Sequence, residues 1–209
     1  MFIVINTPLF YCINMAKNFL NILIINAVIL HAGGISAVAI FSALNLLLRF
    51  MSALSSGVTG VGMPISGVLN EERDITSLKQ LVKAMFTYSN VLLVPIILSL
   101  LIFHNYLAVL FDISGDSFLF ALICFSAYIP LFININLFIA WFTALRRVGI
   151  ANIITFSIDM VLLPLFAVIL IKTGDFIWLH MPLAGIAAAL LIVFLVYRYH
   201  CNRLISGRV

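Results

Sequence analysis

The chain alternates long apolar runs with short polar ones. The runs are Pro8 to Leu30, Ala37 to Val68, Leu81 to Phe103, Ser117 to Phe142, Ile150 to Ile171 and Phe176 to Tyr197. Between them stand HAGG, NEERD, HNYLAVLFDISGD, LRRVG and KTGD, where glycine, asparagine, aspartate and charge cluster and helices stop. Each run reaches the roughly 20 apolar residues that a helix needs to cross hydrocarbon. Helix is the expected form, because a strand edge in lipid leaves backbone groups unpaired at several kcal/mol each. The pattern predicts an all-α integral membrane protein: a single lobe of six transmembrane helices over residues 1–209, with spans near 8–30, 37–68, 81–103, 117–142, 150–171 and 176–197.

The basic residues orient this array. Arg73, Lys79, Lys83, Arg146, Arg147, Arg198, Arg203 and Arg208 fall on one side, Lys172 on the other, and Lys17 and Arg49 lie within spans. Lysine and arginine collect on cytoplasmic loops, so both termini, NEERD and LRRVG are expected inside. Losing or adding a middle span would mix the two sides. Trp178 and Tyr197, near opposite ends of the last run, are expected in interfacial aromatic belts. MFIVINTPLFYCINMAK has its first positive charge at Lys17 and lacks the basic region and cleavage site of a signal peptide. The chain is therefore expected to open almost directly into a span, as a fragment or a half-length gene product would.

Composition strengthens the membrane reading. Apolar residues make up 65% and charged residues 9%, against about half and about a quarter in soluble domains. The mean hydropathy is +1.26. The net charge of +4 comes without a basic run, and positive loops explain it, so no nucleic-acid partner is expected. Cys12, Cys124 and Cys201 have neither CxxC nor Cys/His metal spacing and read as free thiols, with no metal site implied.

The second run is too long for one straight crossing, and its middle, SALSSGVTGVGMPISG, is crowded with small residues. Ser52, Ser56 and Gly60 recur every four residues, a smooth stripe that fits close packing against a neighbouring helix or contact with a ligand. Pro64 is expected to bend this helix. Pro95 and Pro130 interrupt the third and fourth runs, as prolines do in many transporters.

Taken in order, NAVILHAGGISAVAIF, MPISGVLNEERD, SLKQLVKAMF, WFTALRRVGIANII and GDFIWLHMPLA resemble the carboxy-terminal six-helix lobe of the multidrug and toxic compound extrusion (MATE) family. The matching positions are Pro8, Asn26, Gly33, Gly34, the cytoplasmic corner Pro64, Gly67 and Asp74, then Ala144, Arg146, Gly174 and Trp178. The resemblance covers almost the whole chain and rests on the ordered set rather than on any single motif. It implies a secondary active transporter that exports organic cations or other amphipathic compounds against inward H+ or Na+, in a plasma membrane such as the bacterial inner membrane. It implies no cofactor. A complete member of the family has two such lobes with the substrate cavity between them, so the expected partners are the lipid bilayer, a small amphipathic or cationic substrate, and a second lobe. That lobe is either another copy of this chain or a separately encoded amino-terminal half.

Asp159 sits in FSIDMVLLP, near the middle of the fifth run. An aspartate there costs about 2.5 to 3.5 kcal/mol to insert, which the surrounding apolar residues offset. An intramembrane acid is a functional candidate by default, here for binding a proton or cation, with a structural pair or a lumen-facing hydrogen bond as the alternative. Arg49, in LLLRFMSA, is the other deep charge, fit to pair with Asp159, to hold an anionic substrate or to snorkel. Lys17 lies early enough in its span for its stem to reach the interface, with a coupling role as the lesser reading. Sodium-coupled relatives carry carboxylates on the first and fourth helices of this lobe. This chain instead has Asn14, Asn18, Asn21 and Asn26 on the first and Asn134 and Asn136 on the fourth. Amides can ligate Na+ but cannot take up a proton, so the coupling ion stays open between the two.

Enzyme chemistry is not indicated. HExxH, GxSxG and glycine-rich phosphate loops are missing, and His31, His104 and His180 map to outer ends of spans, where interfacial positions are expected. Three readings remain: an efflux lobe, a flippase of the wider superfamily that moves lipid-linked oligosaccharides, and a fragment that does not transport. Basic residues facing the cavity would favour the flippase, and Arg49 is the one deep candidate.

Overall fold

The computed structural model describes the backbone of residues 2–113, 115–172 and 174–205, and the side chains of residues 19–113, 117–172 and 177–196. The described chain is helical throughout, with no strand. It comprises α1 (Phe2–Glu71), α2 (Ile75–Ile102), α3 (His104–Leu110), α4 (Gly115–Ala144), α5 (Val148–Phe156), a π-helical turn (Ser157–Leu162), α6 (Leu163–Ile169) and α7 (His180–Ile205). Tight 3-10 turns at Leu170–Lys172 and Gly174–Leu179 lead into α7. Five helices among the described residues are long and apolar enough to cross a membrane: Phe19–Glu71, Ile75–Ile102, Ser117–Ala144, Val148–Lys172 and Ile177–Val196.

The first of these is 53 residues long, far more than the roughly 20 that one crossing needs. It is broken at Gly34, the only residue of α1 outside helical dihedrals (φ 70°, ψ −160°). That combination is closed to residues with a Cβ, and here it turns the chain sharply. A Cβ on the preceding Gly33 would come within 2.6 Å of the Ala37 Cβ, a separation no straight helix gives at four residues' spacing. HAGG is thus a sharp kink inside helix, with no intervening loop. Pro64, expected to bend the second arm, lies within helical dihedrals.

α4 is the central helix. Phe118, Leu122, Phe125, Ile129, Ile133 and Leu137, spaced three or four residues apart, are all 1% exposed or less and pack against α1, α2, α7 and the turn before α7. A second core of Ile135, Phe142, Ala151, Ile154, Ile158, Ala188 and Ile192 joins α4 to α5, the π turn and α7. Gly185 on α7 admits the edge of Tyr128 and the stem of Leu131: a Cβ there would meet them at 3.0 to 3.2 Å. In lipid such close approach, rather than a hydrophobic drive, supplies the cohesion between helices.

Helix ends explain where the described elements differ from the expected spans. α2 begins at Ile75, six residues before the apolar run, because the Asp74 side chain accepts from the Ser77 backbone N–H at 3.0 Å and caps it. At the preceding corner the Asp74 N–H donates to the Leu69 carbonyl and the Arg73 N–H to that of Asn70, with Arg73 left-handed at φ 59°. Arg147, Arg146, Phe142 and Thr143 repeat this geometry after α4, with Arg146 at φ 58°. Both are Schellman turns that use arginine where glycine is usual. Arg146 also pairs with Glu71, so the NEERD and LRRVG corners lie side by side at one end of the bundle. Both side chains are well exposed, and the pair contributes little stability.

Two expected surface residues are buried instead. Trp178 is 2% exposed and belongs to the main core, so it does not sit in a lipid-facing belt. His180 is 0% exposed, with Nδ1 2.7 Å from the Ile177 carbonyl oxygen and its ring 6.4 Å from that of Phe41. Hydropathy places both at a span's end, and the 3-10 turn before α7 then rolls them inward. His31 is exposed and His104 half-buried. Tyr197 lies outside the described side chains.

Candidate functional site

Between the second arm of α1 and α4 lies a cleft of about 340 Å³. Ser52, Ser55, Ser56, Thr59 and Met63 line it from α1, and Phe132, Asn136, Ile139, Ala140 and Thr143 from α4. The Ser52 hydroxyl donates to the Arg49 carbonyl at 2.7 Å, Ser56 to Ser52 at 2.9 Å, Thr59 to Ser55 at 2.9 Å and Thr143 to Ile139 at 2.8 Å. Bonded back onto their own helices in this way, the hydroxyls turn lone pairs toward the cleft. Asn136 adds both a donor and an acceptor. No lining residue is ionisable, so the cleft can solvate a polar group or cation but cannot itself exchange a proton.

The lining belongs to a longer pattern. Ser42, Asn45, Arg49, Ser52, Ser56 and Thr59 follow one another at alternating steps of three and four residues, which keeps them on one helix face. Ser42, Arg49 and Ser56 are exposed and the other three are only half- or partly buried. Gly57 and Gly60, beside this seam, are open: a Cβ on either would touch nothing within 4 Å. The small-residue stripe of Ser52, Ser56 and Gly60 is therefore not a packing surface inside this chain. Pro64, lacking an N–H, also withholds the usual helix partner from the carbonyl of exposed Gly60. Arg49 heads the cleft, one turn from Ser52.

The expected site residues separate into distinct places. Asn134 does not line the cleft: its Nδ2 donates to Asn90 Oδ1 at 3.1 Å, and Asn90 Nδ2 donates back at 2.9 Å and to the Phe86 carbonyl at 2.7 Å. This reciprocal amide pair ties α2 to α4. Asn136, two residues on and so about 200° around the helix, faces the cleft instead. Replacing Asn134 with leucine should strand the Asn90 amide and lower stability by about 1 to 2 kcal/mol, whereas leucine at both positions should restore most of the loss. Thermal unfolding of the two variants in detergent checks this; equal losses would mean that the pair acts through shape alone. On the first arm, Asn21 and Asn26 keep their side-chain carbonyl oxygens buried without a hydrogen-bond partner. Asn14, Lys17 and Asn18 lie outside the described side chains.

Asp159 stands in the π turn. The Leu163 N–H bonds the Ile158 carbonyl, five residues back, and Pro164 follows with no N–H to return the helix to its register. Asp159 is half-buried and lies within electrostatic range of Tyr128 on α4, itself 3% exposed. Single π turns recur at functional sites, and this one is a signal no hydropathy pattern carries.

The corner residues are structural. Pro64 and Gly67 lie in the last turns of α1, with open space beside Gly67. At Asp74, the hydrogen bonds from Ser77 hold the carboxyl below its ordinary value of 3.8. With the folded value depressed, the cap is fully formed above that ordinary value and is lost as the pH falls through the lower, folded one.

No family model matches the sequence, and no curated protein matches it. Solved structures do. An outward-facing multidrug-resistance MATE transporter of the MOP superfamily aligns with a TM-score of 0.80 at 18% identity, over 91% of this chain and 44% of that one. A MATE protein in complex with MaL6 gives 0.80 at 19% identity over the same shares. A MOP superfamily transporter from Pyrococcus furiosus, notable for a binding pocket of reverse polarity, gives 0.80 at 18% identity, covering 90% and 44%. At such identities the likeness is one of fold. The chain has the fold of one MATE lobe and spans about 44% of the length of the transporters it matches.

Proposed function

We propose that this chain is one lobe of a MATE-like secondary transporter that exports an amphipathic or cationic compound against an inward H+ or Na+ gradient. The observation that carries the reading is the uncovered polar seam and cleft on a helix otherwise built for lipid. A face of serine, asparagine and arginine is costly against hydrocarbon, so it belongs beside water, substrate or another protein. In this reading the arms on either side of Gly34 cross separately, giving six spans with both termini cytoplasmic, and a second lobe, another copy or a separate amino-terminal half, closes the cavity. Asp159 is assigned the coupling ion, since the cleft has no ionisable lining, and the membrane is a plasma membrane. A transporter is favoured over an enzyme because the solved proteins with this fold are transporters.

The exposure of Arg49 on the seam favours a second reading, a flippase whose substrate brings a negative charge. The test is dye efflux from proteoliposomes under an imposed H+ or Na+ gradient, alone and with a second lobe co-reconstituted. Gradient-dependent efflux above that of protein-free vesicles is expected; its absence in every combination sinks the efflux assignment.

A further inference from the structure

We infer that the contact between α1, α2 and α4 is a site for one ordered water molecule, which bridges the Ser55 hydroxyl to that of Ser89. The site does not depend on what the lobe transports. A cavity of about 10 Å³ lies there, walled by Leu54, Ser55 and Val58 of α1, Ser89 and Leu92 of α2 and Ile133 of α4. A space of about that size admits the centre of one water molecule, provided that at least two polar groups receive it. Walled by leucine, isoleucine and valine alone, such a void would stay dry; the two serines change its chemistry.

Ser89 supplies the main ground. It is 6% exposed, and its hydroxyl has no hydrogen-bond partner among the described residues. Other hydroxyls of this chain bond back to a carbonyl three or four residues earlier, as those of Ser52, Ser56, Thr59, Ser99, Thr143 and Thr155 do. For Ser89 the carbonyl three residues back is that of Phe86, and its oxygen is already filled: it takes the helix N–H of Asn90 and, at 2.7 Å, the Asn90 side-chain amide. A buried hydroxyl without a partner is costly in so apolar a setting, and a water in the adjoining cavity removes that cost. Ser55, 4% exposed, offers the second hydroxyl from α1. It also lines the cleft, so the two spaces meet at this residue and water has an entry. Ser89 and Ile133 are the chain neighbours of Asn90 and Asn134, which places the water at the depth of the amide pair. The water joins α1 to α2 where the amides join α2 to α4, and all three helices are tied by polar contacts around one point.

Radiolytic hydroxyl labelling in lipid nanodiscs reads bound water directly, because radicals formed from it oxidise the side chains it touches. Ile133 is 1% exposed and borders the cavity; Ile129, one turn away at 0%, does not border it. Oxidation at Ile133 with none at Ile129 is expected, and Ser89→Val, which fills the cavity with a methyl group, should abolish it. An Ile133 as silent as Ile129 in the parent protein would mean a dry cavity and overturn the inference. So would oxidation of Ile133 that persists in Ser89→Val, since radicals would then reach it by another route. Thermal unfolding gives an independent reading through alanine variants. With a shared water, Ser55→Ala and Ser89→Ala each lower the unfolding midpoint, and the double variant falls no further than the less stable of the two. A Ser89→Ala protein as stable as its parent, or two losses that simply add, would show that no water joins the hydroxyls.

Discussion

Replacing Gly34 with alanine is expected to lower the stability of the lobe by about 1 to 3 kcal/mol, and with valine by more, because φ 70° and ψ −160° admit almost no residue but glycine. Alanine at Gly33 adds an independent fault, since its Cβ would lie 2.6 Å from that of Ala37. The loss falls on the kink that lets the two arms of α1 share one core: Ile25, Val28 and Ile29 before it and Ala37, Ile40, Phe41 and Leu44 after it. Straightening that point would leave one rod of 53 apolar-rich residues, about 80 Å at the rise of an α-helix and far beyond a hydrocarbon core of about 30 Å. Gly57→Ala and Gly60→Ala are the controls. Both positions are helical and open, so alanine should be neutral or raise stability by up to about 1 kcal/mol. Thermal unfolding in detergent, followed by size-exclusion chromatography, separates the two classes; a Gly34→Ala protein as stable as its parent would show that the kink is not held at that residue.

Asp159→Asn is expected to bring gradient-driven efflux down to the level of protein-free vesicles while leaving exchange of substrate across an ungraded membrane in place. Asparagine keeps the shape and most hydrogen bonding of aspartate but holds no charge and takes no proton. The π turn offers the reason for local sensitivity: between a five-residue backbone bond and Pro164, the segment lacks the continuous ladder that would fix it in one register. Tyr128→Phe is the companion variant. It removes a hydroxyl that stands within electrostatic range of the carboxylate and should leave gradient-driven efflux in place. Full gradient dependence in Asp159→Asn would remove this residue from coupling and return the question to the asparagines of the first and fourth spans.

Much of this architecture is legible in the letters, because crossing lipid demands length and apolarity, and both can be counted. The runs beginning at Leu81, Ser117 and Ile150 overlap α2, α4 and the stretch from α5 to the 3-10 turn at Leu170–Lys172, and HAGG marks the kink of α1. What hydropathy cannot supply is azimuth. It puts His180 and Trp178 at the correct height but not on the inward side, which is decided by the 3-10 turn before α7. It likewise treats Asn134 and Asn136 alike, although two residues on a helix point nearly opposite ways, one to a clamp and one to a cleft. The seam was available in principle, as polar residues stepping by three and four from Ser42 to Thr59, but Leu46, Leu47, Leu48 and Phe50 among them mask the period. The π turn had no sequence signal beyond Pro164.

That turn also works as a gear between two halves of one span. A single added residue in a helix advances everything after it by about 100°. Side chains from Leu163 onward therefore face directions that an unbroken helix from Val148 would never present to α1 and α7, and Asp159 sits at the step. A lobe of this fold lacking the extra residue would differ by one position in this span yet show its neighbours a different surface, so the interior of such a lobe can be re-aimed by one codon.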